Sequence, residues 1–254
     1  MEARGAKGVV RVTSARVARI LSEVADRSVT QGALPQRLVM ACADSVPVTG
    51  AGIVLMSAAG PADVAAVTDG PARVMEELQF TLGEGPGVEC SRSGRPVLEP
   101  DLTSGGSRRW PAFASGALQA GVCAMFALPL RVGAIRLGVL NLYRDAPGAL
   151  STAELAEALS FADAATVILL TLQSQADPDH DDVVGIGMHL IEDRAQVHQA
   201  TGFIAERADV SITDALTLLR ARAYASDCLV TDLARDVLSG VVQLTRDEDR
   251  QIGS

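Results

Sequence analysis

Positive charge is what this sequence is short of. Its 22 Lys and Arg stand against 31 Asp and Glu, a formal net charge of -9 over 254 residues, and the sequence pI is about 4.8. A protein that coats nucleic acid nonspecifically carries a bulk basic field, so that class is excluded and any contact with a polyanion must be local. Cysteine is sparse too. Cys42, Cys90, Cys123 and Cys228 are scattered without a Cys-x-x-Cys pair, which reads as reduced cytosolic thiols. His180, His189 and His198 fall nine apart, so successive imidazoles point to opposite helix faces and no metal site is expected. No Ser-His-Asp, paired-carboxylate or metal-ligand pattern stands out, and an enzyme is not expected. The N-terminus lacks the apolar h-region of a secretory signal. The uncharged run of 21 residues from Trp110 to Leu130 is interrupted by Pro111, Gly116, Gly121 and Pro129. It therefore reads as a short helix and a buried strand, not a membrane span, and the chain is expected to be cytoplasmic.

What is present is apolar substance: 48% of the residues are hydrophobic, ample for a buried core in one large unit or two smaller ones. The opening MEARGAKGVVR predicts a mobile arm over 1–14. Val17, Ile20, Leu21 and Val24 form one helical stripe, and Leu34, Leu38, Val39 and Cys42 form a second, with Pro35 tolerable in a first turn. Ala51 to Met56 and Val64 to Thr68 are short apolar runs around a Gly-Pro turn signal, and so predict antiparallel strands.

A helix predicted from Arg73 to about Phe80 runs into Gly83, Gly85, Pro86 and Gly87, read as an irregular glycine loop. No Lys-Ser or Lys-Thr follows and no Gly-x-Gly-x-x-Gly spacing occurs, which argues against a phosphate cradle. A strand at Pro96 to Leu98 and a helix from Trp110 to Gln119 come next. Ala124 to Leu130 and Ile135 to Tyr143, joined by a short turn, predict a hairpin central to the sheet, with Leu137, Val139 and Asn141 on one side. Ser151 and Glu154 make a capping box. The helix after it is apolar on too wide a face to stand alone, so part should lie on the sheet and the rest pair with a second subunit, unless the sheet covers it all.

The acidic, proline-containing stretch over 175–187 reads as a linker. Beyond it, Val197, Thr201, Ile204 and Ala208 share a stripe. Ser211 caps a second helix with Asp214 at N3 and Ile212, Ala215, Leu219 and Ala223 inward, and Val230, Leu233, Ala234, Val237, Leu238 and Val241 recur in a third. Three such stripes bury one small core. Between Ile191 and Leu244, five arginines stand against eight carboxylates, leaving -3. Duplex DNA binding depends on phosphate neutralisation, whereas an unpaired RNA loop read by stacking and base edges needs fewer cations. The tail over 245–254 is polar.

These C-terminal residues resemble a known module. HQATGF, SITDAL, LLRARAYA and LARDVL are similar to the ANTAR module of RNA-binding transcription antiterminators, with Ala200 and Gly202, Ala215, Leu219 and Arg220, and Ala223 and Ala234 at the family's positions. The turn Asp227 to Val230 departs from the Gly-Arg-Pro-Leu type found in related sequences, so a cation expected near the RNA is absent there. Upstream, LQFTLGEGPGVECSRSGRPVLEPDL and the run from RRWPAFASG to LNLYRDAPG resemble the GAF sensory domain over roughly Ala15 to Gln173. Related sequences often place a cysteine where Gly87 stands, so cysteine-based sensing there is absent.

The two resemblances imply an α+β fold: a GAF-like antiparallel sheet flanked by helices over 15–174, a long connecting helix, and a three-helix bundle over 188–244. They imply a homodimeric transcription antitermination regulator that grips stem-loops in nascent RNA under control of the sensor. Candidate RNA contacts are Ala200, Thr201 and Gly202, where small side chains admit a backbone, Arg220 and Arg222 for phosphate or base edges, Tyr224 for stacking, and Arg235 for phosphate. Each has a structural alternative, in helix packing or solvated surface. A GAF pocket holds an unknown small molecule or none, and no other cofactor is implied. The pocket is expected between the sheet and the Gly83 to Gly87 and Trp110 to Gln119 segments, lined by Glu84, Arg92, Arg109 and Trp110. Two competing readings stay open. One is a sensor whose acidic helices contact another protein; the other, helix-turn-helix binding of duplex DNA, suffers most from the charge count.

Overall fold

The structure is a computed structural model that describes residues 15–25, 33–57, 60–68, 70–175, 188–226 and 228–242. The predicted arm over 1–14, residues 176–187 of the linker predicted over 175–187, Asp227 and the tail over 245–254 lie outside the described residues. Five antiparallel strands form one sheet in the order β2-β1-β5-β4-β3: β1 is Gly50–Ser57, β2 Gly60–Val67, β3 Val97–Glu99, β4 Ala124–Val132 and β5 Ile135–Arg144. The predicted hairpin is β4-β5, and β5 occupies the centre.

Because β5 is central, both its faces are covered and it reads as a near-continuous apolar run. Leu140 and Leu142 face one side with Ile53, Phe126 and Leu128, against α1 (Ala15–Val24), α2 (Leu34–Ser45) and α7 (Thr152–Gln175). Val139 and Tyr143 face the other with Val54, Met125 and Ala127, against α3 (Pro71–Leu82), α4 (Pro86–Ser93) and α6 (Pro111–Gln119). One expectation fails here. Leu137 joins Leu140 and Leu142, not Val139 and Asn141, because the β4-β5 register shifts between Leu130 and Arg131 and an inserted residue flips the alternation.

The glycine stretch also proves more ordered than expected. Gly83 ends α3 in a left-handed conformation (φ 63°), and α4 starts at once at Pro86, so the predicted irregular loop is a break between two helices. A π-helical turn, Leu102–Gly106, and one helical turn, α5 (Ser107–Arg109), lead into α6. Trp110 to Leu130 is thus divided between α6 and β4.

The capping box on α7 forms as read. Glu154 N–H donates to Ser151 Oγ at 3.3 Å and Ser151 N–H to Glu154 Oε2 at 2.7 Å, and that amide holds the Glu154 carboxyl below its ordinary range. By length and composition α7 could cross a bilayer. In the fold, Phe161, Ala164, Ala165 and Ile168 are buried with α1, α2 and the sheet, while Leu159, Val167 and Leu170 stay exposed along the far side.

Three further helices, α8 (Met188–Ala208), α9 (Ile212–Ala225) and α10 (Val230–Leu238), enclose a core of Val197, Ala200, Ile204, Ala215, Leu219, Ala223, Val230, Leu233 and Val237. Ser211 caps α9 through its Oγ, which accepts from Asp214 N–H at 3.1 Å. Ile212 points out, 52% exposed, because it is the first residue of α9 and precedes the packed turns. Val241, expected inward, is 74% exposed: α10 stops at Leu238 and Gly240 turns the chain with φ 78°. The bundle is not detached. α9 packs on α3, α8 runs beside β2, and Phe80 of α3 belongs to the bundle core.

Candidate functional site

Between the sheet and α3 lies a chamber lined by Val54, Met56, Glu76, Gln79, Phe80, Gly87, Val88, Val139 and Asn141, with a cavity of about 10 Å³. That is room for one water molecule. Helical spacing puts Glu76, Gln79 and Phe80 on one face of α3, while the two-residue repeat of β5 puts Asn141 and Tyr143 on the facing side. Glu76, 3% exposed, is held by three donor contacts: Tyr143 Oη at 2.5 Å and Asn141 Nδ2 at 3.0 and 3.2 Å from its two oxygens. The sheet makes space for this carboxylate at Gly52, where an added Cβ would sit 2.4 Å from Glu76 Oε1. Gln79 Oε1 accepts from Gly87 N–H at 2.7 Å. Asn141 Oδ1 is buried with no hydrogen-bond partner. The chamber therefore presents one free acceptor beside a fixed carboxylate, a setting that favours a hydrogen-bond donor.

Glu84, Arg92, Arg109 and Trp110, predicted to line a pocket, do not line this chamber. Glu84 Oε1 accepts from Phe113 N–H at 2.8 Å, satisfying a free amide in the first turn of α6. Arg92 donates to the Gly83 carbonyl at 3.3 Å. Arg109 lies 4.3 Å over the Trp110 ring and pairs with Glu89 at 2.5 Å and Glu99 at 3.7 Å. Trp110 is buried in the apolar core of that layer. Sequence reasoning missed Glu76, Gln79, Phe80 and Asn141. The available signal was a polar pair, Asn141 and Tyr143, two residues apart in an apolar strand, opposite a Glu on the apolar side of a predicted helix.

The candidate RNA contacts also separate on inspection. Ala200 and Thr201 are buried in the bundle core, with Thr201 Oγ1 donating to the Val197 carbonyl at 2.7 Å. Gly202 is half-buried with open space where a side chain would go. Arg222 is exposed, Tyr224 is 67% exposed, and Arg235 is exposed with Asp232 at 2.9 Å. Arg220 instead lies across α3, its guanidinium 5.3 Å from the Phe80 ring centroid and its Nε shut off from solvent. At 100° per residue Tyr224 shares the α9 face of Arg220 while Arg222 falls on the opposite one, so the three do not make one patch.

Cys42 and Cys90 do not line the chamber. Burial pushes the Cys42 and Cys90 thiols up to about 12, with the charges of Glu157 and Glu89 adding to the effect, so both stay protonated and inert. Among the described residues no group of His, Cys, Asp and Glu could hold a metal ion.

With this geometry in hand, residues 33–169, more than half of the chain, match the GAF domain family. The chain belongs to the GAF domain family. Among solved structures, this GAF protein is similar to the GAF domain of an Acinetobacter phosphoenolpyruvate-protein phosphotransferase, at 15% identity over 65% of this chain and 96% of that one, with a TM-score of 0.49. It is likewise similar to the GAF domain of a Coxiella burnetii phosphoenolpyruvate-protein phosphotransferase, at 13% identity, 63% and 93% coverage and a TM-score of 0.49. A third is the free methionine-R-sulfoxide reductase of Neisseria meningitidis in complex with its substrate, at 14% identity, 62% and 88% coverage and a TM-score of 0.47. No curated protein matches the chain. The family match ends at residue 169, ahead of α8, α9 and α10.

Proposed function

We propose that this GAF protein is a dimeric, cytoplasmic regulator of transcription antitermination, which binds RNA stem-loops through α8, α9 and α10 under control of the chamber beneath α3. The observation that carries the reading is the bundle itself. Three short helices close one apolar core with the ANTAR-like alanines, Ala200, Ala215, Ala223 and Ala234, all at its centre, while Arg222, Tyr224 and Arg235 are left to solvent. An exposed tyrosine offers a stacking surface for an unpaired base, and two exposed arginines can reach phosphate or base edges. The dimer rests on the exposed Leu159, Val167 and Leu170 of α7, an apolar stripe suited to a second copy of the same helix. Two weak grips would then add by avidity.

The test is fluorescence anisotropy of a labelled pool of RNA hairpins with randomised loops, titrated with full-length protein. Tyr224→Ala and Arg222→Ala should each weaken binding about five- to a hundredfold, the loss of one stacked base or one charge-assisted contact. Unchanged affinity in both would remove these residues from the interface. A second reading, a sensor whose acidic helices dock a protein, is favoured by one observation: Arg220, one of the three arginines expected to meet RNA, is already engaged by Phe80. An absence of hairpin binding in dilute buffer would select it.

A further inference from the structure

We infer that Phe80 and Arg220 form a latch through which the chamber controls the bundle. The inference deepens the RNA-binding reading and rests on it for its consequence, though not for its mechanics. Phe80 has two memberships: it lines the chamber with Gln79 and Asn141, and it packs into the core of the C-terminal bundle with Leu216 and Leu219 of α9. One buried ring is therefore a wall of both compartments. Arg220 closes over that ring from the α9 side and passes close to Gly83, where an added Cβ would stand 3.1 Å from Arg220 Nη1. The guanidinium also lies at the C-terminal end of α3, where the partial negative charge of the last turn favours a cation.

The chamber cannot receive an organic ligand as it stands. Small-molecule pockets occupy several hundred Å³, against about 10 Å³ here. Its floor is β1 and β5, each hydrogen-bonded to a strand on either side, so the walls that can yield are the helical ones: α4, with Gly87 and Val88, and the last turn of α3, which carries Gln79 and Phe80. A ligand that displaces Phe80 removes the ring contact of Arg220 and so weakens the hold of α3 on that side chain. Of the two arginines on α9, Arg222 alone is exposed in the latched state. Release adds Arg220, on the same helix face as Tyr224, and so creates a cation and an aromatic side by side in a bundle otherwise dominated by carboxylates. Coupling is reciprocal: RNA that captures Arg220 must in turn favour the open chamber.

Full-length protein, Phe80→Leu and Arg220→Met test this by two independent readouts. Amide hydrogen exchange over α3 and α9 reports the latch, and anisotropy with the randomised-loop hairpin pool reports RNA binding. The latch predicts faster exchange of α9 in both variants, with the RNA dissociation constant falling roughly two- to thirtyfold in Phe80→Leu, the range of a cation–π contact, and rising in Arg220→Met. Unchanged α9 exchange in both variants overturns the latch, even if the unaltered protein binds RNA. Faster exchange in both with no hairpin binding by any form sustains the latch and defeats the RNA reading. If Phe80→Leu fails to fold, Arg220→Met carries the exchange test alone, since Arg220 is only half-buried.

Discussion

Tyr143→Phe removes one oxygen atom and leaves the ring in place, so it isolates the hydrogen bond that fixes Glu76. The carboxylate is 3% exposed and takes donors from Tyr143 at 2.5 Å and Asn141 at 3.0 and 3.2 Å. A hydrogen bond to a charged group contributes about 1.5–3 kcal/mol. For a chain of this size each kcal/mol moves Tm by about 2–4 °C, so a drop of about 3–12 °C is expected. The assay is thermal and urea unfolding followed by intrinsic fluorescence. Trp110 is the one tryptophan and is buried in the core layer that contains Tyr143, so the signal reports this layer directly. In a Glu76→Gln background the same substitution should cost at least about 1 kcal/mol less, which isolates the pairwise contribution. A loss below about 0.5 kcal/mol, the range of an ordinary surface substitution, would show that the phenol does not hold the carboxylate.

Other outcomes follow from the same structure. Leu219→Ala, at a fully buried position of the bundle, should cost about 2–5 kcal/mol and accelerate hydrogen exchange throughout α8, α9 and α10; protection equal to the unaltered protein would mean that these helices do not share a core. Alkylation at pH 8 followed by mass spectrometry should label Cys123 and Cys228 while sparing Cys42 and Cys90, whose thiols sit near 12; equal labelling of all four contradicts the burial. Desolvation raises the Asp163 carboxyl above its ordinary 3.8, so the folded state holds this proton more tightly than the unfolded chain and stability falls as pH rises through the interval above 3.8. Asp163→Asn should accordingly stabilise at neutral pH, with the gain fading below pH 3.8, and a pH-independent effect would assign the change to something other than charge.

The sheet, its hairpin and the three stripes of the bundle were readable because period-2 and period-3.6 patterns report burial directly. Ser151 with Glu154, and Ser211 with Asp214, marked their helix starts for an equally local reason. What escaped was set by tertiary context. The slip at Leu137 comes from a bulge in the pairing with β4, which no single strand discloses. The pocket residues were sought among the charged side chains beside the glycines, yet Glu84 and Arg92 serve the helix ends around them. The chamber belongs to polar residues inside apolar elements, Glu76, Gln79 and Asn141. Arg220 was legible as a cation on a helix but not as a partner of Phe80, since 140 residues of chain separate them.

The most direct test of the proposed function is a titration of the hairpin pool against full-length protein, its subunit count first determined by native mass spectrometry, over a series of salt concentrations, with duplex DNA as competitor. Two exposed arginines on each of two protomers, at about 0.7 counterion each for single strands, give a log-log salt slope of about -3, and RNA should be retained against an excess of duplex. RNA left entirely free in dilute buffer would contradict the account and return α8, α9 and α10 to the docking of a protein.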